Sequence, residues 1–269
     1  MKIAFAGKGG VGKTTLTSLL AYHYSSEGRE VLAIDADPSP CLGPALGFPG
    51  EVLDRLSPIA EMRDLIAKRT GSDPKNSAGG FFKINPHVSD LPGRFSARHN
   101  GIQLLLLGAV EQGGSGCICP SSALLKQLVN HVLVEQNGVV LLDLYAGVEH
   151  LGRGTAESVD AMLIVAEPTN RSMVTARQAH GLARDIGIEN IYLVGNKANG
   201  DEDARFFADA AKHQGMEYLT CLPAADTVRT ADRSGEVLYS LDENMADIAR
   251  SIASRIEPGD IGNHSRQTA

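Results

Sequence analysis

Short runs of apolar residues recur along the chain. Ile3–Ala6, Val31–Ile34, Leu104–Leu107, Val139–Leu142, Met162–Ala166 and Ile191–Val194 are each nearly continuous in apolar character. A strand buried on both faces reads this way, because neither side of its pleat meets water. Between several of these runs lie amphipathic stretches at 13–26, 121–136, 170–186 and 201–213, which predict helices. Alternation of this kind predicts an α/β fold: a mostly parallel sheet with helices on both faces. Leu241, Met245, Ile248, Ile252 and Ile256 fall at helical spacing and predict a last helix over 241–256, packed on the sheet.

Residues 48–103 break the rhythm. They are rich in Gly, Pro, Asn and Ser, with Asp73-Pro74, Gly79-Gly80, Asn85-Pro86 and Leu91-Pro92-Gly93 among them. One helix near 58–69, then loops or a short hairpin, is the expectation. The segment reads as an insertion on a single domain spanning 1–256. No internal repeat is present, and the polar tail 257–269 is expected to be disordered.

Composition narrows the function classes. A chain of 269 residues suits one large α/β domain. Its 25 Lys and Arg against 32 Asp and Glu give a net charge of -7, which argues against a protein that coats DNA or an anionic membrane. The first apolar run is too short for a signal peptide, and Leu104–Leu107 is far short of a membrane span. Four cysteines, at 41, 117, 119 and 221, are too few for a disulfide scaffold. The chain is therefore expected in the cytoplasm, with reduced thiols.

Residues 7–15 read Gly-Lys-Gly-Gly-Val-Gly-Lys-Thr-Thr, which satisfies G-x-x-x-x-G-K-[ST] between a predicted strand and a predicted helix. Glycines at 7, 9, 10 and 12 let the backbone around Val11 curl, so that several N–H groups face one anion. Lys13 can neutralise β- and γ-phosphates, and the Thr14 hydroxyl can ligate Mg²⁺. The second lysine, Lys8, is not required by the phosphate-loop pattern.

This version of the loop resembles the deviant Walker A of the MinD, ParA and nitrogenase iron-protein group of ATPases. The resemblance implies ATP hydrolysis by a nucleotide-sandwich homodimer, in which Lys8 reaches the partner's phosphates. It extends to Asp35-Ala36-Asp37-Pro38 at a strand's end, where Asp37 would orient or activate the attacking water. Asp35 reads as a strand-end cap or a residue behind the Mg²⁺ shell. Val139–Leu142 ends in Asp143, which resembles a Walker B acid holding Mg²⁺ through water. Ala146-Gly147 would then move near the γ-phosphate, and Tyr145 stands where relatives often carry a small or acidic residue. Asn196, followed by Lys197, would contact adenine. Leu222-Pro223-Ala224-Ala225-Asp226 looks like a second base-contacting loop.

Cys117 and Cys119 form a C-x-C pair in a glycine-rich loop, followed by Pro120. Thiolates suit zinc, Cu(I) and iron–sulfur clusters, but a tetrahedral site needs four ligands. Two such pairs across a dimer axis would supply them; two buried or idle cysteines are the bland alternative. Cys41 and Cys221 read as ordinary buried thiols. His150 reads as a hydrogen-bonded residue of the second switch. The phosphate loop, the C-x-C-P and the run from Gly147 to Gly154 together resemble the CooC-type branch, accessory ATPases for nickel insertion into carbon monoxide dehydrogenase. That resemblance implies nickel or zinc shared by Cys117 and Cys119 at the dimer interface, carbon monoxide dehydrogenase as partner, and no nucleic acid or membrane.

Two other readings stay open. A ParA- or MinD-like positioning ATPase would want a basic patch or a basic amphipathic tail. The last helix offers Arg250 and Arg255 against Asp242, Glu243 and Asp247, and the tail after 257 has no aromatic residue or leucine. An iron–sulfur carrier or electron-transfer ATPase would hold a cluster at the same dimer axis.

Overall fold

The computed structural model describes residues 1–72, 81–108, 119–135, 138–145 and 158–257. Its strands are β1 Lys2–Ala6, β2 Val31–Ala36, β3 Ser96–His99, β4 Ile102–Leu106, β5 Val139–Leu144, β6 Ala161–Ala166, β7 Ile191–Ala198 and β8 Glu217–Pro223. They form one sheet in the order β3-β4-β2-β5-β1-β6-β7-β8. The pair β3–β4 is antiparallel and the other pairs are parallel. The helices are α1 Lys13–Ser26, α2 Leu42–Ala45, α3 Gly50–Leu53, α4 Arg63–Thr70, α5 Leu91–Phe95, α6 Pro120–Glu135, α7 Asn170–Asp185, α8 Asp201–Gln214, α9 Asp226–Ser234, α10 Leu238–Leu241 and α11 Glu243–Ile256. Among the described residues no helix is long and apolar enough to cross a membrane.

Alternate strand residues feed two separate cores. Phe5, Ala33, Leu141 and Val165 meet Leu16 and Leu20 of α1 and Met245 and Ile252 of α11 on one face. Ala4, Ile34, Leu142 and Ile164 meet Leu128 of α6, Met173 of α7 and Phe207 of α8 on the other. Both faces of the central strands are thus covered, which is why their sequence is apolar without alternation.

The structure corrects several boundaries. β8 has no counterpart among the predicted strands. It pairs in parallel with β7, and Pro223 lies at its last position, where an edge strand tolerates a missing N–H. The expected loop 222–226 is therefore mostly strand end and helix start, with only Ala224 and Ala225 between β8 and α9. The last helix begins at Glu243, where the Asp242 carboxylate caps the N–H of Met245. Leu241 belongs to α10 and is 38% exposed, so it lies outside the buried stripe of Met245, Ile252 and Ile256.

Within 48–103 the single expected helix is divided. A 3-10 turn at Ile59–Glu61 precedes α4, and Met62 (φ -79°, ψ 70°) breaks the helical path between them. Ile59, Ile66, Val88 and Leu91 are buried in the same core as Leu142. β3 and β4 form a short antiparallel hairpin on the sheet's edge. The tail from 258 onward lies outside the described residues.

Candidate nucleotide site

The carboxyl ends of β1, β2 and β5 meet side by side. Asp35 of β2 and Phe5 of β1 are both register partners of Asp143 in β5. Ala33 and Leu141, two residues earlier, face α1, so the alternation of the strand turns Asp35 and Asp143 towards α1 as well. Between β1 and α1 runs the glycine loop. Gly12 sits before the helix in the left-handed region, at φ +98°, and a Cβ there would lie 2.0 Å from Asn196 Nδ2. No other residue type fits that corner without displacing the asparagine.

Lys13 is only 6% exposed. Its ammonium donates to the carbonyls of Gly7 (3.2 Å) and Lys8 (3.3 Å). Burial lowers its pKa, while the nearby Asp143 and Asp37 oppose that effect. Thr14 Oγ1 donates to Asp143 Oδ2 at 2.7 Å. The other carboxylate oxygen, Oδ1, is buried with no hydrogen-bond partner. Burial chiefly pushes the Asp143 carboxyl up to about 7; the Thr14 hydroxyl acts in the opposite sense. An unpartnered buried oxygen beside a hydroxyl is the donor set of a hard cation such as Mg²⁺.

Asp35 is fully buried and shapes the loop that follows β2. Its carboxylate accepts N–H groups from Asp37 (3.0 Å), Cys41 (2.9 Å) and Leu42 (2.9 Å). Burial raises its pKa even so. Asp37 lies at the mouth of the site, and its carboxylate accepts the N–H of Ser39. Lys8, Gly9 and Gly10 are exposed.

Asn196 lies beneath the loop. Its Nδ2 donates to Val11 O at 2.7 Å, and its Oδ1 accepts the N–H of Lys197 at 2.8 Å. One N–H and one lone pair remain on that amide for a base edge. Lys197 donates to Gly10 O at 2.7 Å and pairs with Glu167. Glu167 is a site residue that the motifs do not mark; an acid directly after the buried run of β6 is the signal that points to it. Ala224 N bonds Ala198 O, which ties β8's end to β7 near Asn196. Asp226 opens α9 and is exposed, paired with Arg229. A cavity of about 230 Å³ lies between Thr15 and Ser18 of α1, Pro44 of α2, and Val228 and Asp232 of α9. A larger one, about 490 Å³, surrounds His180, Arg184 and Glu217 at the sheet's opposite end and holds none of the motif residues.

Of the C-x-C pair, Cys117 lies outside the described residues, as do Ala146, Gly147 and His150. Cys119 directly precedes α6: its carbonyl accepts the N–H of Ala123 and its sulfur that of Ser122 at 3.4 Å. Pro120 follows at the first helical position, where a missing N–H costs nothing. Cys41 is exposed beside the site, and Cys221 is half-buried, so neither is the buried thiol expected of it. Tyr145 is half-exposed just past β5. Among the described residues no three His, Cys, Asp or Glu side chains cluster as a metal site.

The fold and this loop define a nucleotide-binding P-loop protein. The CobQ/CobB/MinD/ParA nucleotide binding domain matches residues 2–239. The carbon monoxide dehydrogenase accessory protein CooC of Rhodospirillum rubrum is 43% identical over 256 residues, covering 95% of this chain and 96% of that protein. An ATP-binding protein of Methanocaldococcus jannaschii is 40% identical, covering 91% of this chain and 93% of its own length. The fold is also that of MinD in the MinC:MinD cell division complex of Aquifex aeolicus, with a TM-score of 0.65 at 21% identity, covering 94% and 96% of the two chains. The chain belongs to the CobQ/CobB/MinD/ParA family and, within it, to the CooC-type accessory ATPases. It hydrolyses ATP.

Proposed function

We propose that ATP binding and hydrolysis in this chain drive a homodimer that carries a metal ion on paired C-x-C motifs. Its task is to assist nickel insertion into carbon monoxide dehydrogenase, in the cytoplasm. The observation that carries this reading is the Thr14–Asp143 pair under a two-lysine phosphate loop, in a chain 43% identical to CooC.

Each residue has a defined task on this reading. The N–H groups of residues 7–15 hold the phosphates, and Lys13 neutralises the β- and γ-phosphates. Thr14 and Asp143 would hold Mg²⁺, whose charge offsets the electrons that gather on the phosphate oxygens. Asp37 orients the water that attacks. Lys8, exposed at the loop's edge, serves the partner's phosphates. Asn196 and the turn from Pro223 through Ala224 to Asp226 read the base. Nickel, or zinc in its place, is the cargo of Cys117 and Cys119. Hydrolysis weakens the dimer's grip on its nucleotides and releases the metal to the partner enzyme.

Native mass measurement joined to metal analysis tests this with ADP, with ATP and without nucleotide. An ATP-linked dimer with about one metal per two chains is expected. Cys117→Ala or Cys119→Ala should remove the metal and leave nucleotide binding intact. Metal that survives both substitutions contradicts the cysteine assignment.

A further inference from the structure

The phosphate loop is held from outside by two residues of β7. Gly10 O accepts from Lys197 Nζ at 2.7 Å, and the next carbonyl, Val11 O, accepts from Asn196 Nδ2 at 2.7 Å. A trans peptide points its C=O and N–H in opposite directions. Fixing these two carbonyls therefore turns the N–H groups of Val11 and Gly12 to the inner side of the loop. Gly10 (φ +80°) and Gly12 (φ +98°) supply the left-handed turns that make successive N–H groups converge. The Val11 N–H finds only Lys8 O, at 3.4 Å, a long contact that an anion would replace.

Lys197 reaches this post by an unusual backbone. Its φ is +58°, a left-handed conformation uncommon for a lysine. The Asn196 side chain secures it by accepting the Lys197 N–H. The ammonium is then shared between Gly10 O and the Glu167 carboxylate. Glu167 is itself anchored: its N–H donates to Ser172 Oγ in the first turn of α7.

We infer that Lys197 and Glu167 are positioning residues, which set the phosphate loop for its anion by gripping the Gly10 carbonyl. This assigns Lys197 to the phosphate loop in place of the adenine contact expected from its position after Asn196. The inference rests on the nucleotide-site reading. Inorganic pyrophosphate separates the two roles, because it has phosphates and no base.

Pyrophosphate, ADP and ATP affinities are measured by calorimetry on the full chain, with melting temperatures alongside. Lys197→Met should weaken all three by a similar factor, about tenfold or more, as loss of a charge-assisted hydrogen bond implies. Glu167→Gln should weaken them less, and the double variant should be no worse than Lys197→Met alone. Lys197→Arg, which keeps charge and reach, should recover most of the affinity. If Lys197→Met does not fold, Glu167→Gln carries the test: pyrophosphate binding should weaken at an unchanged melting temperature. Unchanged pyrophosphate affinity in the folded variants, or additive losses in the double variant, would overturn the positioning role. A wild-type chain that binds neither ATP nor pyrophosphate would overturn the nucleotide site itself.

Discussion

Two loops border the site and are held in opposite ways. In the loop after β1 the carbonyls are gripped: Lys13 takes those of Gly7 and Lys8, Lys197 that of Gly10, and Asn196 that of Val11. In the loop after β2 the N–H groups are gripped, three of them by the Asp35 carboxylate. The first loop is left with inward N–H groups and becomes an anion receptor. The second has its donors engaged and presents the Asp37 carboxylate instead. Neighbouring strand ends thus become a phosphate cradle and an acidic wall, according to which half of the peptide group is occupied.

Removing the cation from the first loop should have the largest effect. Lys13→Ala takes away the charge facing the phosphates and leaves two carbonyls without their donor. Turnover should fall about a thousandfold, read in a steady-state phosphate-release assay.

Asp143 lies on the strand between those two loops, and its titration gives a pH test. Its folded-state value, about 7, lies above the ordinary 3.8, so ionising it costs stability. That cost is absent below pH 3.8, grows between 3.8 and about 7, and is constant above. Asp143→Asn keeps an acceptor for Thr14 and removes the charge. Without metal, it should match the wild type near pH 4 and exceed it by roughly 4 kcal/mol above neutrality. Denaturant melts at several pH values check this; a gap that shrinks as pH rises would contradict it.

A break in the second loop should separate binding from turnover. Asp35→Asn replaces an acceptor by a donor that faces backbone N–H groups. Turnover should fall about tenfold while ADP affinity stays within about twofold. Equal losses in both would mean that the two loops are one unit. The smallest effect belongs to Cys41→Ser. The thiol donates to Ser39 O, which a hydroxyl can also do. Metal stoichiometry and turnover should not change, which would separate this exposed thiol from the C-x-C pair.

Much of this is legible in the sequence. The helix over 13–26 matches α1 residue for residue, because a glycine loop fixes its start and Gly28 follows its end. The unbroken apolar runs mark the central strands: five lie inside the observed strand, one to four residues short of it, and Leu104–Leu107 overruns β4 by one residue. The edges are harder to read for a physical reason, since half-exposed strands carry mixed sequences: β3 is foreshadowed only as one arm of a possible hairpin, and β8 not at all. β8 holds Glu217, Thr220 and Pro223, and β3 is Ser-Ala-Arg-His. The Asn100-Gly101 pair between β3 and β4 is a strong hairpin signal, and Asn100 takes a left-handed φ of +48° there.

In the site, Lys13, Thr14 and Asp143 come together as their motifs implied. The pairing of Lys197 with Glu167, 30 residues apart, leaves no mark in local pattern. Nor does the grip of Asn196 on a loop 185 residues away, although its position after a buried strand pointed to the site. Asp35 looked like a cap or a residue near the metal. Its three backbone partners show the capping role.

The direct test of the nucleotide-closed dimer is a mixing experiment. Lys8→Ala removes the lysine proposed to reach the partner's phosphates, and Asp37→Ala the acid proposed to orient water at a chain's own site. Each variant alone should be nearly inactive. A mixed dimer has one site with both its own Asp37 and the partner's Lys8, so random mixing should restore about a quarter of wild-type ATPase activity. A mixture no more active than its two components would contradict the trans role of Lys8 and the dimer on which the account depends.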